Sequence, residues 1–273
     1  ISWCFTPLSF NGKEKDYESG LHYYGARYYW SELLTGWLSV DPMIDKYPNV
    51  SPYNYCFWNP VKQVDPDGNI PLPSWKEFLF ALKHPIIASN VGSVSRGSSN
   101  ISTCAVRFAT RGEILYGSNP KKEREEGSEA GAFRHTLWQA TIAAKYSTDI
   151  AKEIGDAHED NSKVNLKQRV FDNKESADQV VDLLNNIIGR SIGKENSGEN
   201  MKSLANSVLD EFKNNGLYTV TETSSGQFVV SRNMLSQEKY DALKEIFSGL
   251  NEYGRTAEEQ SMYYLSNIGN GLP

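Results

Sequence analysis

Long apolar runs are missing from this sequence of 273 residues. A membrane-spanning helix needs about 18–20 consecutive apolar residues, and the nearest approach, Phe78 to Ile87, is broken by Lys83, His84 and Pro85. The sequence therefore predicts no membrane span. Cysteine is scarce as well. Cys4, Cys56 and Cys104 are odd in number and lack metal-ligand or redox spacing, so they read as buried free thiols. Positive charge is in deficit, with 28 Lys and Arg against 34 Asp and Glu and a net charge of −6. Sequence-independent nucleic-acid binding draws on a basic face, so this balance argues against a DNA-binding partner. No Ser or Cys stands in a nucleophile elbow, which removes covalent serine chemistry. The opening ISWCFTPLSF lacks a basic n-region and reads as a piece of something longer rather than as a signal peptide. What is present is 39% apolar residues and 12% aromatics, enough to bury a core in one large or two smaller domains.

The chain changes character across Ser51 to Ser74. Before it, tyrosines at 17, 23, 24, 28 and 29 alternate with Gly20 and Gly25, and LHYYGARYYW and GWLSVDP read as short strands joined by tight turns. After it come long amphipathic helical patterns. Asp65-Pro66-Asp67-Gly68 is turn chemistry, and Pro71 and Pro73 prevent a helix from crossing. The expected fold is a β segment over residues 1–69, too short to stand alone, followed by a mainly α-helical domain with one β-hairpin over residues 70–273.

GLHYYGARYY, LSVDP and SPYNYCFWNPVKQVDPDG, in that order, resemble the RHS repeat-associated core, the closing segment of RHS/YD-repeat proteins, over roughly residues 8 to 69. The resemblance implies the end of a hollow β-cocoon, a parent RHS shell, and a C-terminal toxin used in interbacterial competition. It further implies delivery into a target cell and a cognate immunity protein. Many members of that family also cut themselves with an aspartate dyad after a Leu that follows Asp-Pro-x-Gly. Asp41 matches the second aspartate, but Trp30 stands where the first would be, with Glu32 the nearby substitute carboxylate, and Asn69 replaces the Leu. These departures predict no working dyad.

Beyond the junction, Ser74-Trp75-Lys76-Glu77 is a capping box, and a Ser- and Gly-rich stretch over residues 90 to 103 precedes a helix near Ile101 to Thr110. Residues 129–146 carry Phe133, Leu137, Ala140 and Ala144 at helical spacing beside a stripe of His135, Trp138, Gln139 and Ile142. In the next helix, Thr148 to about Glu159, Ile150, Ile154, Ala157 and His158 share a stripe, so both histidines are expected to point inward and meet. A third helix, about Glu175 to Ile192, has Val180, Leu184, Ile187 and Ile188 as its expected core and a polar stripe of Asp182, Asn186 and Gly189. Further helices are expected at Met201 to Phe212 and, last in the chain, at Ser236 to Leu250, with a hairpin around Gly226 between them. Arg134-His135-x-x-Trp138, Gly155-Asp156-Ala157-His158-Glu159 and Asn185-Asn186-x-x-Gly189 also resemble an uncharacterised helical domain found at the ends of RHS and other polymorphic toxins.

Two chemistries fit this constellation. His135, His158 and Asp156 suit zinc or another divalent metal, although Asp156 and His158 lie about 200° apart on an ideal helix. Alternatively His135 and His158 are a metal-free acid–base pair, with Glu159 orienting one ring and Arg134 or Asn186 stabilising an oxyanion. Trp138, Asn185 and Asp182 would line the site. Three functions stay open: a hydrolase of phosphodiester or ester bonds, a non-enzymatic binding or membrane-acting toxin, or a structural plug of the shell.

Overall fold

The computed structural model describes residues 13, 15–16, 18–31, 36–41, 51–58, 65, 68, 75–95, 97–115, 127–158 and 164–269. The chain divides into two compact units, Ile1–His84 and Pro85–Pro273. Small antiparallel sheets and many helices make it a mixed fold, mainly helical in its C-terminal part.

In the first unit, β1 (His22–Tyr23), β2 (Tyr28–Trp30) and β3 (Gly36–Trp37) form an antiparallel sheet in that order. Side chains alternate across a strand, so Tyr29 is buried while its neighbour Tyr28 is exposed. Tyr24, Tyr29, Trp37, Tyr55 and Cys56 make the core. The Tyr24 and Trp37 rings meet edge-on at 5.1 Å, and Tyr29 lies 4.3 Å from Tyr55. Leu38 to Val40, expected to continue a strand, form a bend instead and are exposed. The described residues of this unit form a small sheet and the helix α1 (Trp75–Lys83), and no β-shell is seen among them. Ser74 of the expected capping box, Cys4, Glu32 and Asn69 lie outside the described residues.

A buried arginine organises this unit. Arg27 sits 4.2 Å from the centroid of the Trp37 ring, pairs with Asp41 at 3.0 Å and Asp65 at 3.1 Å, and donates through Nε to the Gly68 carbonyl. Asp65 in turn accepts from the Gly68 amide at 2.8 Å. Gly68 has φ +77°, and a Cβ there would stand 3.0 Å from the Arg27 nitrogen, so a side chain is refused both by the backbone and by the space. Asp41 and Asp65 are thus more than turn residues: both are buried and balance one guanidinium. Burial raises the Cys56 thiol to about 11, in keeping with a free thiol there and at Cys104.

The second unit holds α2 (Pro85–Val91), α3 (Ile101–Ala109), α4 (Glu129–Lys145), α5 (Thr148–His158), α6 (Lys174–Glu195), α7 (Met201–Asn214), α8 (Gln237–Ser248) and α9 (Ala257–Gly269). Asn100, Ser128, Asn173, Asn200 and Ser236 each cap a helix by accepting from the backbone N–H three residues on, which is why the helices start where they do. Residues after Ala257, which carry no clear sequence signal, form α9, so the helix at Gln237–Ser248 is not the last.

Helix α4 is the axis. Ala132, Phe133, Leu137, Ala140 and Ile142 are fully buried, and Phe133 joins Phe247 of α8 and Phe108 of α3 in one aromatic stack, with centroids 5.9 and 5.3 Å apart. Helix α6 lies directly against α4. A Cβ at Gly189 would stand 2.9 Å from Gln139 Cβ, and one at Gly193 would stand 2.8 Å from Ala143 Cβ. Both contacts advance four residues on each helix, so α4 and α6 run in the same direction. The side of α6 that meets α4 is small, with Gly189 and Gly193 at the contact. Of the residues expected in its core, Val180 is buried and Leu184 packs beside it in a cluster with Phe171 and Val230, whereas Ile187 is 47% exposed; Asn185 and Asn186 are buried as well.

A second sheet, β4 (Val170–Phe171), β6 (Phe228–Asn233) and β5 (Leu217–Glu222) in spatial order, covers the other side of α6. The hairpin lies where expected. Its β5 edge is not left open: Tyr218 donates to Asn185 Oδ1 at 3.0 Å and accepts from Asn185 Nδ2 at 2.9 Å. An open edge invites pairing with another chain, and here the Asn185 amide, with the Gly127 carbonyl accepting from Val220 N–H at 2.9 Å, takes the place of a strand. No helix of the described residues is long and apolar enough to cross a membrane.

Candidate functional site

Three helices bring the expected residues together. His135 projects from the first half of α4 and is 7% exposed. Helix α5 runs back against it, so Gly155 meets Gln139 while His158, one turn on, reaches His135 and Trp138. Ring centroids of His135 and His158 are 6.3 Å apart, and the Trp138 ring is 5.7 Å from His158. Trp138 is fixed in turn by its indole N–H, which donates to Ser102 Oγ of α3 at 3.0 Å. From α6, Asp182 Oδ2 lies 3.4 Å from His135 Nε2.

The two histidines differ in setting. His158 is exposed, a correction to the inward orientation expected from its stripe. Ala151, Ile154, Gly155 and Ala157 fill the inner face of α5, and the last residue of the helix is left at its rim. His135 is buried, and burial, then the Arg134 guanidinium, then His158 hold its pKa well below the ordinary imidazole value. The ring is neutral at physiological pH. Arg134 Nη2 donates to His135 Nε2 at 3.1 Å, because a guanidinium has no acceptor to offer. The proton of the neutral ring then sits on Nδ1, which has no partner among the described residues. Asn186 Oδ1, one turn along α6 from Asp182, is likewise buried without a donor among them.

Not all expected residues join this cluster. Asn185, expected to line the site, is committed to the edge of β5 instead. Asp156 pairs with Lys152 on its own helix. Glu159 lies outside the described residues. Among the described residues no group of three or more His, Cys, Asp and Glu side chains is arranged to hold a metal ion. A guanidinium donating to His135 Nε2 also repels a cation from that nitrogen. The sequence reading passed over Arg190, which donates to Gln139 Oε1 at 3.1 Å and feels Asp156. Gly155 makes the room for that amide, and a glycine facing Gln139 from the neighbouring helix was the available signal.

Residues 84–216, which hold this cluster, match a family model described as a domain of unknown function, DUF6973. The chain is also similar to toxin subunit YenC2 of Yersinia entomophaga, 38% identical over 72 residues, or 26% of this chain and 7% of that protein. Salivary gland surface protein 1 of Aedes aegypti is 33% identical over 90 residues, covering 33% of this chain and 2% of that protein. The chain thus spans a small fraction of the length of these relatives. No solved structure matches.

Proposed function

We propose that the chain is the C-terminal portion of an RHS-type toxin, with residues 1–69 closing a β-cocoon and residues 70–273 acting as its effector. The toxin is delivered into a target cell in interbacterial competition and restrained in the producer by an immunity protein. The partial similarity to a toxin subunit supports a toxin-like role, and the Tyr-Gly-Ala-Arg-Tyr-Tyr and Asp-Pro-x-Gly motifs support the shell assignment.

The effector is a hydrolase of phosphodiester or ester bonds that works by acid–base chemistry without a metal. One observation carries this: His135, Arg134, His158 and Asp182 converge from three helices on one place, with a neutral buried imidazole beside an exposed one. A neutral His135 takes a proton from the attacking group, His158 at the rim gives one to the leaving group, and Asp182 holds the charged ring that results. Trp138 keeps the His158 ring in place. The test is growth of bacteria expressing the wild-type chain, His135→Ala, His158→Ala or Asp182→Asn, with matched expression and circular dichroism. Wild type should arrest growth, and each variant should restore it, since loss of an acid or base lowers the rate by about 100-fold or more. Full toxicity of His135→Ala refutes the reading.

A further inference from the structure

His135 Nε2 faces two groups that want opposite things of it. Arg134 donates at 3.1 Å and needs a lone pair there, whereas Asp182 Oδ2 at 3.4 Å can bond that nitrogen only when it carries hydrogen. Among the described residues, the charged and titratable groups around the ring are Arg134 from α4, His158 from α5 and Asp182 from α6. We propose that Arg134 and Asp182 make a two-position proton gate on His135, thrown by a tetrahedral oxyanion such as a phosphoryl group that draws the Arg134 guanidinium onto itself. The proposal rests on reading this cluster as the working site.

With the guanidinium turned to the anion, Nε2 loses its donor and a nearby positive charge is neutralised. The nitrogen then takes up one proton, from the attacking group during the reaction or from solvent when an inert anion is bound, and holds it in a hydrogen bond to Asp182. With an inert anion no other bond forms or breaks. Arg134 suits this role because it is only half-buried, and His135 is the one side chain among the described residues to which it donates. Its planar fork matches two anion oxygens at once. A third oxygen remains for the exposed His158 ring. A planar carboxylate has two oxygens, and the fork uses both, so the arrangement favours a tetrahedral group. Binding and protonation are linked: whatever raises the proton affinity of the ring on anion binding must raise anion affinity on protonation by the same factor.

The test is imidazole NMR of the full chain across pH, with His135 assigned by His135→Gln. Sodium sulfate, inorganic phosphate, sodium acetate and sodium chloride are compared at equal ionic strength. Sulfate, whose own charge is constant, should raise the His135 midpoint by about one unit or more over chloride, the size of effect of removing a charge within about 4–6 Å. Phosphate should act alike and acetate should not. Arg134→Gln should raise the midpoint without any anion and abolish the response to sulfate. Arg134→Lys, which keeps the charge without the fork, should weaken the response several-fold, and it decides the matter if the glutamine variant does not fold. An unmoved midpoint with sulfate, or an equal response in Arg134→Gln, overturns the gate. An equal response to acetate overturns the tetrahedral assignment. Failure here leaves the acid–base reading standing if His135→Ala still relieves toxicity. A toxic His135→Ala variant, together with an intact sulfate response of the wild-type ring, sinks that reading and leaves an oxyanion site.

Discussion

Gly189→Ala sets two known effects against each other. In an isolated helix the change is favourable by about 1 kcal/mol. In this structure the added Cβ would fall 2.9 Å from Gln139 Cβ and 3.1 Å from the Thr136 carbonyl carbon, with the carbonyl oxygen closer still. Carbon atoms rest at about 3.5–4.0 Å, and the obstacle is the backbone of α4, which no rotamer change can clear. The helices must part by roughly 1 Å, and overpacking of this kind costs about 1–3 kcal/mol. Because the obstacle is backbone, the cost lies in the upper part of that range, about 2–3 kcal/mol, and subtracting the propensity gain leaves a net loss of about 1–2 kcal/mol, or roughly 2–8 °C in melting temperature for a unit of this size. Circular dichroism at the helix band follows the second unit, which holds all the described helices but α1. Gly193→Ala should behave alike, since its Cβ would meet Ala143 Cβ at 2.8 Å. The double variant should lose less than the sum, because helices parted for one methyl have already made room for the other. Gly249→Ala is the control: φ is −83°, and the nearest atom would be Ile246 O at an ordinary 3.7 Å, so stability should stay within about 0.5 kcal/mol. A Gly189→Ala protein as stable as wild type, or more so, refutes the close approach of α4 and α6.

Asn185→Ala leaves the Tyr218 N–H and C=O without their partner and should destabilise the second unit by about 1–3 kcal/mol; hydrogen exchange of the Tyr218 amide should accelerate well beyond that of α4, and unchanged protection would count against the edge-closing role. The pH profile of stability should carry the mark of His135. Its folded pKa is depressed below the ordinary 6.5, so the unfolded chain takes up a proton as pH falls through about 6.5 while the folded one does not. Stability should therefore be level above that pH and decline below it, and His135→Gln should flatten the decline in melting curves from about pH 5 to 8. Identical slopes would show that the ring is not buried neutral.

The positions of α3 to α8 are legible from residue spacing, because five of these six starts carry an Asn or Ser cap and apolar residues recur at helical spacing behind it, whereas α2 and α9 are not. The packing of α6 is legible only in part. The hydrophobic stripe holds for Val180, buried toward the second sheet, but it also points to Ile187, which is exposed; on the side of α4 the close neighbour is backbone, and only glycines admit it. His158 misleads for a related reason: periodicity places it on the inner stripe, yet it ends its helix, where the stripe has run out of neighbours. The pairing of His135 with Asp182 joins residues 47 apart on separate helices, and nothing in local pattern links them. Arg27 was invisible for the opposite reason, since an arginine between tyrosines in a turn-rich stretch reads as a surface residue until two buried aspartates are found to flank it.

The partners of Arg27 among the described residues lie upstream of Asn69. Asp41, Asp65, the Gly68 carbonyl and the Trp37 ring all precede that residue, so the N-terminal unit owns both halves of its own clasp. A cut after Gly68 removes none of these described partners, and the end so created would stay buttoned to the sheet through a glycine carbonyl.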